Sequence, residues 1–105
     1  MPYFALFYEL VDDFVARRAA FRSEHLHLAA EAYSRGDLLL GGALGEPADT
    51  ALLVFNCANK SIVDEFAKRD PYVVNGLVKK RIVRPWTVVV GQNAEPVASS
   101  QGRLQ

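Results

Sequence analysis

The sequence predicts an α+β domain of the ferredoxin-like type, in which a four-stranded antiparallel sheet carries its helices on one face. Three observations lead there. Segments of strand and helix character alternate in the order βαββαβ, which is the order of the split βαβ arrangement. Half of the 105 residues are apolar, enough for one core at a length common for one domain and too little for two. The candidate strands are apolar on both faces, so one face of the sheet needs helices and the other needs a cover of its own.

Each element follows from local composition. PYFALFYEL, residues 2 to 10, holds aromatic and aliphatic side chains over strand length, and Asp12 and Asp13 after it are suited to capping a helix. From Phe14 to Arg35, alanine, arginine and leucine propagate a long helix, which Gly36 ends with a left-handed residue. DLLLGGALG (37 to 45) and TALLVFNC (50 to 57) are two strands joined across EPAD. Asn59 caps a second helix through KSIVDEFAKRD, which Asp70-Pro71 closes, and PYVVNGL forms a short turn. KKRIVRPWTVVVG, residues 79 to 91, is the last strand, with Pro85 placing part of it at an edge or bulge. The expected domain is residues 1 to 91. The tail 92 to 105 loses apolar periodicity and is expected to fray or to dock on a partner.

Composition narrows the functions. Twelve basic and twelve acidic side chains cancel, and neither sign is gathered into a run, so nucleic acid and anionic membrane are poor partners. No apolar run approaches the roughly 20 residues that span a bilayer. The lone Cys57 forms no internal disulfide, and the start lacks the pattern of a secretory leader, which together point to a cytoplasmic setting. Zinc-type ligand spacings are absent, as are phosphate-cradling loops, since GGALG lacks the lysine and the glycine spacing. No metal and no cofactor is expected. In the first strand Phe4, Leu6 and Tyr8 point one way and Tyr3, Ala5 and Phe7 the other, and an open apolar face of that size is most simply covered by a second copy, giving a homodimer of the α/β-barrel type. Loops or the tail covering that face within one chain are the plainer alternative.

RSEHLHLAAEAY, residues 22 to 33, sets two histidines two positions apart on a helix, where they project about 200° from each other. Taking Phe14 as the origin of the helical wheel, Phe21, Leu28 and Ala32 fall within about 40° of it and His25 at about 20°. His27 lies with Ser23 and Glu31 on the solvated side. Arg18 and Arg22, at about 40° and 80°, sit on the apolar stripe or its shoulder. Buried polar groups need partners, so an imidazole and two guanidinium groups on that stripe call for something polar opposite them. The plainer reading makes His25 a satisfied core residue and lets the arginines snorkel to the rim. Asp70 likewise has a local explanation as a cap before Pro71. A carboxylate facing an imidazole would fix its tautomer and suit it to proton transfer.

Arg22-x-x-His25-Leu26 in the first helix, Gly41-Gly42 in the next strand, Asp70-Pro71-Tyr72 with Gly76-Leu77 after the second helix, and a closing Pro85-Trp86 together resemble the YciI-like family over residues 3 to 91. The resemblance implies a ferredoxin-like fold, a homodimer, and an active site built on the histidine of R-x-x-H-L and the aspartate of D-P-Y, here His25 and Asp70. It also implies that some relatives act without cofactor on chlorinated aromatic compounds, removing halide from a hydroxylated ring. Ser23 stands where some relatives carry proline, a departure remote from the chemistry.

Beside that dyad, the fork of Arg22 suits a phenolate or carboxylate, and Tyr72 is placed either to donate to a bound oxygen or to plug the core. Gly41 and Gly42 leave room for a ligand or for helix packing, or mark a simple bulge, and Glu46 and Asp49 read as solvated turn residues. Cys57 reads as a buried hydrophobe. The reading is a small cofactor-independent enzyme that uses His25 and Asp70 for proton transfer on a small cyclic or aromatic substrate, of lyase or isomerase type and dehydrohalogenase-like in one form. The alternatives are a dimeric module that binds a small molecule without changing it, and a structural role in which Arg18 and Arg22 reach carboxylates of a partner.

Overall fold

The alternating apolar segments assemble into one antiparallel sheet in a computed structural model that describes residues 1–91. In chain order the elements are β1 (Tyr3–Leu10), α1 (Phe14–Arg17), α2 (Arg22–Ser34), β2 (Leu38–Leu44), β3 (Thr50–Asn56), α3 (Lys60–Arg69), α4 (Pro71–Val74) and β4 (Val78–Trp86). The sheet order is β2-β3-β1-β4, with β1 and β3 central and every pairing antiparallel. This is the ferredoxin-like α+β arrangement.

Register decides which side chains share a face. Phe4 pairs with Phe55 and Leu6 with Leu53, and these four, with Tyr8 and Leu10, pack in one core with Phe14, Leu28, Val63 and Phe66 from the helices. Phe55 meets Phe66 edge to face at 5.2 Å, a geometry that adds about 0.5–1.5 kcal/mol to the burial itself. The opposite face carries Tyr3, Ala5 and Phe7 against Asn56, Val54 and Leu52. Around them Leu40, Leu44, Ile82 and Trp86 are exposed.

Two expectations need correction. The single helix expected from Phe14 to Arg35 is broken: α1 ends at Arg17, a 3-10 turn spans Arg18–Ala20, and α2 restarts at Arg22 after Phe21 with φ −122°. Propensity in RRAAF favours an unbroken helix. Tertiary packing overrides it, since Phe14 is buried against Tyr72 and Phe21 packs on the core from the far side of the break. The last strand, expected to reach Gly91, ends at Trp86, because Trp86 pairs with Tyr3, the first residue of β1, and residues 87–90 have no strand to pair with among the described residues. Pro85 is tolerated because β4 is an edge strand bonded to β1 alone.

The helix ends are held differently from expectation too. Asp13 and Asn59 stand at the caps of α1 and α3, yet neither side chain takes up a backbone N–H of its helix: Asp13 lies 3.7 Å from the Arg17 guanidinium, and Asn59 accepts from the Ser61 hydroxyl. Gly36 follows α2 with φ 85°, where a side chain would be strained. Among the described residues no helix is long and apolar enough to cross a membrane. The expected tail, 92 to 105, lies outside the described residues.

Candidate active site

His25 reaches the site because α2 turns its apolar stripe toward the sheet, with Leu28 and Ala32 buried one and two turns further on. Asp70 reaches it from the other side. Pro71 disfavours helical backbone at the residue before it, so α3 stops and Asp70 adopts an extended conformation, φ −65° and ψ 120°, that points its carboxylate into the protein. That carboxylate is fully buried.

A buried carboxylate is costly unless its oxygens are taken up by donors, and three groups do so. Oδ1 lies 2.9 Å from Nδ1 of His25 and accepts from the backbone N–H of Tyr72 at 3.0 Å, while Oδ2 accepts from the Tyr8 hydroxyl at 2.8 Å. Asp70 is therefore the cap of α4 and the partner of His25 at once, because the two roles share Oδ1 and exclude nothing. With a carboxylate as acceptor, the network assigns the His25 proton to Nδ1. Nε2 is left without a protein partner among the described residues.

The imidazole is held from its face as well. Its ring stacks on Tyr72 with centroids 4.0 Å apart and planes 15° from parallel, and Tyr72 in turn meets Phe14 edge to face at 5.2 Å. The Tyr72 hydroxyl is buried with no hydrogen-bond partner among the described residues. Burial pushes its ionisation up, while the guanidinium groups of Arg22 and then Arg18 oppose that shift. Burial, together with the charge and hydrogen bond of Asp70, pushes the Tyr8 phenol far above its ordinary value, so it remains a donor at any physiological pH.

A cleft of about 230 Å³ opens beside these groups, lined by Phe14, Arg18, Arg22, His25 and Tyr72 on the helical side and by Gly41, Gly42, Ala43, Ala51 and Leu53 on the sheet. The register irregularity of β2 falls between Leu38 and Leu40, before the glycines, so a bulge does not explain them. A methyl at Gly41 would stand 3.2 Å from Cγ of Leu53, against the cleft wall, whereas one at Gly42 would meet nothing within 4 Å.

Of the residues singled out in the sequence, His25, Asp70, Tyr72 and Arg22 come together here. His27 does not: its side chain is 77% exposed and lies 3.8 Å from Glu31 on the outer face. Glu46 and Asp49 are exposed in the β2–β3 turn, Asp49 accepting from the Thr50 hydroxyl. Cys57 is buried away from the cleft, and its thiol is pushed up by burial and by the charge of Asp37, partly offset by its bond to the Asn59 carbonyl. Tyr8 was missed by sequence reasoning, which grouped it with Phe4 and Leu6. A phenol on an inward strand position needs a buried acceptor, and that was the available signal.

Comparison with known proteins agrees with this architecture. The chain covers 99% of 5-chloro-2-hydroxyhydroquinone dehydrochlorinase (TftG) from Burkholderia phenoliruptrix AC1100, solved in complex with 2,5-dihydroxybenzoquinone, with 89% of its own length aligned, a TM-score of 0.70 and 17% identity. It is also similar to protein Atu4242 from Agrobacterium tumefaciens, with a TM-score of 0.59, 11% identity, and 90% and 100% of the two chains covered. At these identities the likeness is one of fold. No curated protein matches the chain. The YCII-related domain matches residues 1–87, nearly the whole of the described region, and the chain belongs to that family.

Proposed function

We propose that the protein is a small cofactor-independent enzyme in which His25 takes a proton through Nε2 from a small hydroxylated cyclic or aromatic substrate. Asp70 orients the imidazole and stabilises the cation formed when it accepts the proton, as in other carboxylate–histidine pairs. Arg22 and the Tyr72 hydroxyl bind the oxygen on which negative charge develops. The observation that carries the reading is the 2.9 Å contact between His25 and a fully buried Asp70 at the wall of a cleft.

Lyase or isomerase chemistry suits a lone base. The fold likeness to a dehydrochlorinase makes loss of HX from a halogenated, hydroxylated ring the first reaction to test. In that step one ring hydroxyl ketonises, its proton ending on the halogen-bearing carbon; His25 takes the proton of a second hydroxyl, whose O–H pair becomes a second C=O bond as the ring double bonds shift, and halide leaves with the carbon–halogen pair to give a quinone. Electrons balance without an external acceptor.

The same reading includes a homodimer of the α/β-barrel type, the two copies packing through the face that carries Phe7, Leu52 and Val54. On that face Val54 is buried and Phe7 and Leu52 half-buried, while Leu40, Leu44, Ile82 and Trp86 are exposed around them, an apolar rim that a second copy would cover. Light scattering tests it directly: a mass of one chain at micromolar concentration would remove the dimer from the reading.

The test of function is incubation of wild-type protein and His25→Ala with a panel of halogenated hydroquinones and with a metabolite extract, followed by mass spectrometry. A compound converted by wild type and not by the variant supports the enzyme. A compound retained by both and released unchanged favours a binding module.

A further inference from the structure

We infer that the cleft is built for a ligand carrying two anionic oxygen groups on one small ring, with Arg18 as a second anion-binding residue beside Arg22. The inference rests on the site proposed above and names its ligand class. Three observations meet here.

The first is charge. Arg18 and Arg22 both line the cleft, and neither has a carboxylate partner among the described residues, in contrast to Arg17 with Asp13 and Arg35 with Asp37. No carboxylate is among the described residues that line the cleft, and Asp70 behind His25 is fully buried with both oxygens engaged by His25, Tyr72 and Tyr8, so it is not available to either guanidinium. In a chain whose formal charges sum to zero, this is a local excess of two positive groups at a concave surface.

The second is an unused donor. The Tyr72 hydroxyl is buried and donates to no acceptor among the described residues, and it lies where both guanidinium groups act on it, Arg22 more strongly than Arg18. A single oxyanion placed between Arg22 and Tyr72 satisfies that hydroxyl. Arg18, whose guanidinium carbon stands 5.9 Å from the Phe14 ring centre, is then left for a second anion on the same ligand.

The third is size. A cavity of roughly 150 Å³ holds benzene, so a cleft of about 230 Å³ takes one six-membered ring with its substituents. The stacked rings of His25 and Tyr72 and the small residues Gly41, Ala43 and Ala51 supply walls suited to a flat ligand.

Calorimetry with the three benzenedicarboxylates, benzoate and benzamide tests this without relying on turnover. At least one dicarboxylate is expected to bind about tenfold or more tighter than benzoate, with benzamide weaker again, since each charge-assisted contact is worth about that factor. Arg18→Gln should remove the dicarboxylate advantage and leave benzoate unchanged, Arg18→Lys should keep part of it, and Arg22→Gln should weaken both. On wild-type protein alone, dicarboxylate affinity should fall more steeply with salt than benzoate affinity. Equal affinity for mono- and dicarboxylates, an advantage that survives Arg18→Gln, or no binding by any dicarboxylate overturns the inference. A dianion preference without turnover of any compound would leave the clamp standing and remove the proposed base; His25-dependent turnover indifferent to Arg18→Gln would do the reverse.

Discussion

His25 and His27 are the same residue in the same helix, two positions apart, and nothing in their chemistry differs until the helix is packed. His27, 77% exposed, faces Glu31 across solvent at 3.8 Å, a contact of the kind worth a few tenths of a kcal/mol at most. His25 is 15% exposed, fixed at Nδ1 by a fully buried carboxylate and clamped against an aromatic ring. Packing decides which imidazole has one tautomer and one orientation, and only a base so held is pre-organised for proton transfer.

The contrast can be broken most severely at Asp70. Asp70→Ala strips an acceptor from Tyr8, His25 and the Tyr72 N–H together, and loss of one member of a buried network typically costs about 3–5 kcal/mol. Chemical denaturation should show a drop of that order, and His25 should come to behave as His27 does.

His25→Ala should instead leave the fold intact and lower turnover of an identified substrate by about 10²–10⁴-fold, the usual contribution of a positioned acid–base group. Steady-state rates at saturating substrate read this directly. Full activity in the variant would make the two histidines equivalent in function.

Tyr8→Phe is a smaller perturbation, leaving Oδ2 of Asp70 buried without its donor, at a cost of about 1–3 kcal/mol in denaturation midpoints. It carries a pH signature. The native state holds the Tyr8 proton more tightly than the unfolded chain does, so this contribution is whole below the ordinary phenol value near pH 10 and is lost progressively as pH rises above it. Wild-type protein should lose stability above pH 10 more steeply than Tyr8→Phe. Parallel alkaline unfolding curves would contradict the hydrogen bond.

The smallest effect belongs to His27→Ala. Stability should change by no more than about 0.5 kcal/mol and activity not at all. A marked loss of turnover here would remove the distinction on which the site is built.

Much of this is legible in the sequence. Phase alone separated His25 from His27, because the 3-10 turn at Arg18–Ala20 interrupts the helix without turning its inner stripe away from the sheet. The break itself was not legible: it answers to the packing of Phe14 on Tyr72, a contact between residues 58 apart in the chain. Strand β4 was overextended for a related reason, since residues 87–90 are β-branched or alanine-free strand formers by composition, yet pairing depends on where β1 begins. Asp70 looked like a choice between cap and catalytic partner. The carboxylate has enough acceptor capacity for both roles, which no local pattern reveals. Tyr8 was hidden by alternation, since an inward tyrosine and an inward phenylalanine look alike until the acceptor for the hydroxyl is located.

The most direct test of the central claim is a long-range proton–nitrogen NMR spectrum of uniformly ¹⁵N-labelled protein at a pH where both imidazoles are neutral. His25 should appear as a single Nδ1–H tautomer with a slowly exchanging ring proton that is lost in Asp70→Asn, while His27 shows the averaged pattern of a free imidazole. Two averaged histidines, or a His25 proton resident on Nε2, would contradict the Asp70-held base.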